Sequence, residues 1–130
     1  MKKFYSMIVA IMTVIAMAGC GKETEMSKNT YERISQEEAK SLMDSEEDYI
    51  ILDVRTNEEY AEAHIKGAIC IPNETIDAAV VEELPDKEQL ILVYCRSGNR
   101  SVQASEKLSD LGYSNIKEFG GINTWKYDTE

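Results

Sequence analysis

Residues 90–112 have the sequence LILVYCRSGNRSVQASEKLSDLG, and this stretch decides the fold. Its five apolar residues from Leu90 to Tyr94 predict a strand that is buried on both faces. Further along, the spacing of three predicts one face of a helix, formed by Val102, Ser105, Leu108 and Leu111. Gly112 follows where a left-handed residue commonly ends a helix. We therefore predict a strand, a short loop and a helix.

A cysteine lies in the loop between this strand and this helix. Cys95 is expected at the carboxyl end of the strand, where it faces the N-terminus of the helix. Unpaired backbone N–H groups and the helix dipole stabilise an anion there, which favours the nucleophilic thiolate. Gly98 permits a tight turn, and Arg96 and Arg100 add positive charge. We predict that Cys95 is a nucleophile, and the alternative is an inert buried cysteine.

The rest of the chain alternates between predicted strands and helices. Four more strands are predicted at Tyr31–Ile34, Tyr49–Leu52, Ala68–Ile71 and Ile116–Phe119. This alternation predicts an α/β fold, with a parallel five-stranded sheet flanked by helices on both faces. Ligands of such sheets bind beyond the carboxyl ends of the strands, which is where Cys95 is expected.

The connecting segments carry helix signals. Ser35 and Thr56 are each followed three residues later by glutamate, which is the pattern of a capping box at a helix start. Apolar residues at helical spacing predict another helix that stops before Pro85, and these residues are Ile76, Ala79, Val80 and Leu84. After the last strand, Gly120-Gly121 predicts a turn, and residues 122–127 predict a last helical turn or two.

The first residues of the chain differ from the rest. Lys2 and Lys3 precede an uncharged apolar run at residues 7–18, which is short for a membrane span. The run ends in Met17-Ala18-Gly19-Cys20, which resembles the signal of a bacterial lipoprotein. The resemblance implies cleavage before Cys20 and lipid modification of its thiol. An ordinary secretory signal or a marginal anchor helix is the alternative.

The resemblance to a lipoprotein signal divides the chain into three parts. Residues 1–19 form the lipoprotein signal peptide, residues 20–30 form a flexible polar tether, and residues 31–130 form the domain. The expected location is extracytoplasmic, with the lipid anchoring the protein to the bacterial cell membrane.

The charge and the histidine content disfavour two classes of function. The 130 residues contain 14 basic and 24 acidic side chains, and a net charge of −10 disfavours nucleic-acid binding. The single histidine, His64, is not set among cysteines at ligand spacing, so no metal site is predicted.

Two separated motifs resemble the rhodanese family of sulfurtransferases. The first is the loop from Cys95 to Arg100. The second consists of Ile51-Leu52-Asp53-Val54-Arg55, Glu59-Tyr60, His64-Ile65-Lys66-Gly67-Ala68 and Ile71-Pro72, in the family's order and spacing. Gly120-Gly121 and Trp125 also fit, whereas Ala63 stands where the family usually has glycine. The resemblance extends over nearly all of residues 34–126.

The resemblance implies a rhodanese-like fold and thiosulfate sulfurtransferase activity. Cys95 would be the catalytic residue, and the remaining loop residues would bind the substrate: Arg96, Ser97, Gly98, Asn99 and Arg100. A small anionic donor such as thiosulfate would place its sulfane sulfur on Cys95 as a persulfide, and a thiol or cyanide would accept it. Neither a metal nor an organic cofactor is implied.

Two alternative functions are considered. Related folds use a similar cysteine loop for phosphatase or arsenate-reductase chemistry, with a loop of seven residues in which the arginine comes one position later. Here the loop has six residues from Cys95 to Arg100, and Ser101 occupies the later position. The second alternative is a module that binds an anion or a partner without catalysis, and retention of the cysteine argues against it.

Four other residues have predicted roles. His64 is expected to fix a turn through hydrogen bonds rather than to activate Cys95. Asp53 and Arg55 are expected to hold the strand end through an ion pair and backbone hydrogen bonds. Cys70 is expected to be a small buried hydrophobic residue, and the alternative is a resolving thiol for Cys95.

Overall fold

The computed structural model describes residues 31–130, so the predictions for the signal peptide, Cys20 and the tether lie outside the described residues. In this part of the chain, one sheet contains the parallel strands β1 (Tyr31–Arg33), β2 (Tyr49–Asp53), β3 (Ile69–Cys70), β4 (Leu90–Cys95) and β5 (Ile116–Gly121). Their spatial order is β1-β5-β4-β2-β3, which puts β4 in the middle. All six residues of β4 are therefore buried, as its continuous apolar sequence predicts.

The strands are connected by the helices α1 (Gln36–Ser45), α2 (Asn57–Glu62) and α3 (Asn99–Asp110). At the start of α1, Ser35 Oγ accepts a hydrogen bond from Glu38 N at 3.0 Å. Thr56 starts α2 with the complete capping box, because Thr56 and Glu59 each bond the other's backbone N–H. Gly112 has φ +100° just after α3, which confirms the predicted left-handed end. Within residues 31–130, no helix has the length and apolar composition needed to cross a membrane.

The side chains of β4 alternate between two hydrophobic cores. One core contains Ile91, Val93 and Cys95, together with Ala104 and Leu108 of α3. The opposite core contains Leu90, Leu92 and Tyr94, together with Ala39 of α1. Helices thus cover both faces of the sheet, and the predicted α/β class is confirmed.

Two predicted elements of the middle of the chain are wrong in detail. The strand predicted over Ala68–Ile71 is only Ile69–Cys70, because its partner β2 ends at Asp53, opposite Cys70. The stripe predicted as a helix between Ile76 and Leu84 contains a short 3₁₀ helix at Ala78–Glu82. Asp77 caps the start of this 3₁₀ helix by accepting a hydrogen bond from Ala79 N at 2.9 Å.

The predicted turn at Gly120-Gly121 is instead the end of β5. Gly121 pairs with Cys95 across the sheet, and a single 3₁₀ turn follows at Ile122–Thr124. A Cβ atom on Gly121 would lie 2.0 Å from the carbonyl oxygen of Arg96. Glycine is required at this position because the backbone of the cysteine loop passes directly over it.

Candidate active site

The loop between β4 and α3 carries the predicted nucleophile. β4 ends at Cys95, and α3 begins at Asn99 after Gly98, whose φ is +109°. Glycine adopts this left-handed conformation without the steric penalty of a side chain. Gly98 is buried, whereas the side chains of Arg96, Ser97 and Asn99 are exposed. We call residues 95–100 the cysteine loop.

Hydrogen-bond donors surround the sulfur of Cys95. Gly98 N lies 3.0 Å from Sγ, and Ser101 Oγ lies 3.5 Å from it. Burial raises the pKa of this thiol, but its hydrogen bonds with the Ser101 side chain and with the N–H groups of Ser101, Gly98 and Ser97 outweigh that effect. The pKa of Cys95 is therefore lowered from its ordinary value, and the loop favours the thiolate.

Both arginines of the cysteine loop reach one carboxylate on α2. Arg100 donates to the two oxygens of Glu59 at 2.9 and 3.2 Å, and Arg96 Nη1 lies 3.7 Å from the same group. Hydrogen bonds from Arg100 and from Thr56 N lower the pKa of Glu59 to about 2. The sequence predicts Glu59 as a capping-box residue of α2 and as part of the second rhodanese motif, but it does not predict that Glu59 pairs with the two arginines.

Residues 35–128 match the family described as the rhodanese-like domain. This chain belongs to the rhodanese family. It is 39% identical over 71 residues to thiosulfate sulfurtransferase PspE of Escherichia coli, covering 55% of this chain and 68% of PspE. It is 34% identical over 97 residues to thiosulfate sulfurtransferase GlpE of Coxiella burnetii, covering 74% of this chain and 88% of GlpE.

A solved structure described as a rhodanese with anions from E. coli is similar in fold. The TM-score is 0.59 at 34% sequence identity, and the similarity covers 63% of this chain and 96% of that chain. Together with the five-stranded parallel sheet, this similarity confirms the predicted rhodanese-like fold.

The second rhodanese motif forms a buried network behind the cysteine loop. Arg55 pairs with Asp53 at 2.7 Å and donates to the carbonyl oxygen of Ala63, also at 2.7 Å. The Tyr94 hydroxyl donates to Asp53 at 2.6 Å and accepts from Ile65 N at 3.0 Å. Asp53 and Arg55 thus hold the end of β2 to the segment after α2, as predicted.

His64 has the structural role that the sequence predicts. Its ring stacks on Tyr60 with centroids 3.8 Å apart, and Nδ1 lies 3.0 Å from the carbonyl oxygen of Tyr60. Nε2 lies 3.4 Å from the carboxylate of Glu130, and the two backbones bond each other through His64 N and Glu130 N. These contacts hold the C-terminal residues against the segment after α2.

Cys70 is only partly buried, so the prediction of a fully buried thiol is wrong in degree. The reason is that β3 is an edge strand and lacks a neighbour on its outer side. Burial still raises the pKa of Cys70 to about 11. Because β2 lies between β3 and β4, the Cα atoms of Cys70 and Cys95 are about 9 Å or more apart, which is too far for a disulfide in this conformation.

Two polar residues lie behind the sulfur, Ser101 and Glu118, and the sequence did not identify either of them as a functional candidate. Ser101 Oγ donates to Glu118 Oε2 at 2.5 Å, and Glu118 is 1% exposed. Glu118 also accepts from Gly120 N at 3.0 Å and from Arg33 Nε at 3.1 Å. The signal for Glu118 was its position two residues after the apolar Ile116, which puts both side chains on the same face of β5.

A cavity of about 260 Å³ opens beside the cysteine loop. Side chains of both charges line it, including Arg55, Glu59, Glu62 and Arg96. Among residues 31–130, no group of three or more histidine, cysteine or acidic side chains is arranged to hold a metal ion.

Proposed function

We propose that this rhodanese transfers a sulfane sulfur from thiosulfate, or from a similar anionic donor, to a thiol or cyanide through a persulfide on Cys95. The observation that carries the proposal is the Cys95 sulfur, which lies 3.0 Å from Gly98 N and has a lowered pKa. The similarity to PspE and GlpE, both named thiosulfate sulfurtransferases, supports thiosulfate as the donor.

The reaction proceeds in two steps. The Cys95 thiolate attacks the outer sulfur of thiosulfate, a new S–S bond forms, and sulfite leaves with the electron pair of the broken bond. The terminal sulfur of the persulfide carries the negative charge and is stabilised by the N–H groups of the cysteine loop. Cyanide or a thiolate then attacks that sulfur and restores the Cys95 thiolate, so ping-pong kinetics are expected.

The rim of the site provides positive charge for the donor. Two guanidinium groups, of Arg96 and Arg100, share the single carboxylate of Glu59, so this cluster retains one net positive charge. An anionic donor that approaches the cysteine loop therefore meets two guanidinium groups, although Glu62 also lines the adjacent cavity and the whole chain has a net charge of −10. Glu59 holds Arg100 through two hydrogen bonds and lies near the more exposed Arg96, so it moderates the charge of both.

Intact mass measured in sequence on one sample tests the proposal. Thiosulfate should add the mass of one sulfur atom at Cys95, and cyanide should then remove it with release of thiocyanate. No added sulfur together with turnover of a phosphate ester would support the phosphatase alternative. No added sulfur and no turnover would support the non-catalytic binding module.

The N-terminal anchor is a separate proposal, which rests on the sequence pattern around Cys20. We propose that lipid on Cys20 holds the domain at the extracytoplasmic face of the bacterial cell membrane. The full chain should partition with membranes and carry a lipid mass, and Cys20→Ala should move it to the soluble fraction or leave it unprocessed. A wild-type protein that is wholly soluble and lacks lipid would contradict the anchor while leaving the sulfurtransferase proposal intact.

The low pKa of Glu59 predicts a dependence of stability on acid. Its folded-state pKa of about 2 lies below the ordinary 4.5, so its contribution is complete above pH 4.5 and decreases as the pH falls towards 2. For a partly exposed ion pair we expect this contribution to be about 1–2 kcal/mol. The free energy of unfolding in urea should therefore fall less between pH 5 and pH 3 in Glu59→Gln than in the wild type.

Glu58→Gln is the matched control for Glu59→Gln, because Glu58 is an exposed neighbour on the same helix. It should leave the acid dependence of unfolding unchanged. Equal acid dependence in Glu59→Gln and the wild type would show that the contacts of Glu59 do not stabilise the fold.

A further inference from the structure

The cavity beside the cysteine loop has walls from three separate parts of the fold. They come from α2, from the cysteine loop and from the 3₁₀ turn that follows β5. Asn123 N donates to the carbonyl oxygen of Arg96 at 3.2 Å, so this turn lies directly against the loop. Because Arg96 follows Cys95 in the chain, a small molecule in the cavity lies beside the loop that carries the transferred sulfur.

Two of the four charged side chains that line the cavity already have close partners. Arg55 forms an ion pair with Asp53 at 2.7 Å, and Asp53 is completely buried. Glu59 accepts two hydrogen bonds from Arg100, at 2.9 and 3.2 Å. These partners neutralise Arg55 and Glu59, so neither side chain offers a free charge to a ligand.

The other two charged side chains of the cavity, Glu62 and Arg96, are exposed and available to a ligand. Within residues 31–130, the carboxylate of Glu62 has neither an ion pair nor a hydrogen bond. Arg96 Nη1 lies 3.7 Å from Glu59, which is longer than a hydrogen bond. Glu62 lies three residues after Glu59 on the same face of α2, which puts their Cβ atoms about 5–6 Å apart. The cavity thus presents one free carboxylate and one free guanidinium, about one helical turn apart.

We propose that the thiol that accepts the sulfur is a small zwitterion of the amino-acid type, with its ammonium on Glu62 and its carboxylate on Arg96. The proposal rests on the sulfurtransferase function proposed above and names the acceptor of its second step. The cavity volume of about 260 Å³ lies below the range of about 300–1,000 Å³ that is usual for drug-sized ligands. A single amino acid is a ligand of suitable size, and Ile122 provides an apolar contact for its methylene group.

The acceptor reacts as a thiolate while its two charged groups are held in the cavity. Its sulfur attacks the terminal sulfur of the Cys95 persulfide, and a new S–S bond forms on the acceptor. The S–S bond to Cys95 breaks, and its electron pair returns to Cys95 as the thiolate. The acceptor leaves as a persulfide, so no oxidant or reductant is needed. Holding the acceptor beside the loop should raise its rate of reaction at low concentration.

Four small thiols with different charged groups test the proposal. Cysteine has both groups, cysteamine has the ammonium alone, 3-mercaptopropionate has the carboxylate alone, and 2-mercaptoethanol has neither. The full chain is loaded with thiosulfate, the persulfide is detected by intact mass, and sulfur removal is measured at low thiol concentration. Each rate is divided by the rate at which the same thiol reduces a small disulfide in solution, which removes differences in thiol reactivity.

Each charged group should increase the normalised rate by about threefold, which is the effect of a partly exposed ion pair. Cysteine should therefore react about tenfold faster than 2-mercaptoethanol on this scale. Glu62→Gln should remove the advantage of the two ammonium thiols and keep that of 3-mercaptopropionate, and Arg96→Gln should do the reverse. All rates are measured on loaded protein, so an effect of Arg96 on thiosulfate binding does not enter the comparison.

Glu58→Gln is the matched control, because Glu58 is an exposed neighbour on α2 that does not line the cavity. It should keep the order of the four thiols. Equal normalised rates for the four thiols, or equal losses with cysteine in Glu58→Gln and Glu62→Gln, would overturn the proposal. Loaded protein that releases its sulfur to cyanide without any preference among the thiols would overturn the acceptor assignment alone. Failure of thiosulfate to load Cys95 would overturn the sulfurtransferase function and this proposal with it.

Discussion

Cys95→Ser is expected to abolish sulfur transfer from thiosulfate to cyanide, with a loss of at least about a thousandfold. Serine preserves the approximate shape of the side chain, but its hydroxyl remains protonated at neutral pH, even beside Gly98 N and Ser101. It also forms no persulfide, so both half-reactions fail. The measurement is thiocyanate release under saturating thiosulfate, together with intact mass after exposure to the donor.

Cys70→Ala is the matched control, since it removes a thiol that lies on the far side of β2 from Cys95. The pKa of Cys70 is raised to about 11, so little of it is thiolate at neutral pH. The variant should retain most of the activity and acquire one sulfur atom from thiosulfate. Equal losses in the two variants, or a disulfide between Cys70 and Cys95 in the native protein, would mean that the two thiols act together.

The six-residue length of the cysteine loop is expected to favour a sulfur substrate over a phosphate. Six residues from Cys95 to Arg100 form a small ring of N–H groups around one sulfur position. Inserting one residue between Ser97 and Gly98 should widen that ring, which would weaken sulfur transfer and provide space for a tetrahedral phosphate. The rate of thiocyanate release and the hydrolysis of a phosphate ester, measured on the same preparation, would show whether ring size decides between the two reactions.

The parts of the fold that depend on local patterns were predictable from the sequence. The buried run from Leu90 to Tyr94 identified the central strand, because both of its faces are covered. Thr56 and Glu59 identified the start of α2, because the capping box involves only neighbours in sequence. The position of Cys95 between the strand end and the start of α3 was predictable for the same reason, since Cys95, Gly98 and that helix start are adjacent in sequence.

The parts that depend on long-range contacts were not predictable. Glu118 contacts Ser101 from a different strand, and the pairing of Arg100 with Glu59 crosses from α3 to α2. No local pattern specifies either contact, because each arises when the sheet brings distant segments together. The segment around the 3₁₀ helix at Ala78–Glu82 was mistaken for an α-helix because Ile76, Val80 and Leu84 are four residues apart, and these three side chains are buried although the segment is not α-helical.

Gly121→Ala should both destabilise the fold and displace the cysteine loop. The added Cβ would lie 2.0 Å from Arg96 O and 2.6 Å from Ser97 N, and these are backbone atoms that move only if the loop moves. Overpacking of this kind costs about 1–3 kcal/mol. Because the displaced atoms include the Ser97 N–H that stabilises the Cys95 thiolate, sulfur transfer should decrease by more than the loss of folded protein explains.

Gly112→Ala separates the two effects. Gly112 has φ +100°, so alanine there is strained by about 1–2 kcal/mol, but it lies at the far end of α3 from the cysteine loop. Both variants should therefore lower the free energy of unfolding in urea, whereas only Gly121→Ala should slow thiocyanate release and Cys95 alkylation per folded molecule. If the two variants reacted equally fast when folded, the contact between β5 and the loop would stabilise the protein without shaping the N–H groups around the sulfur.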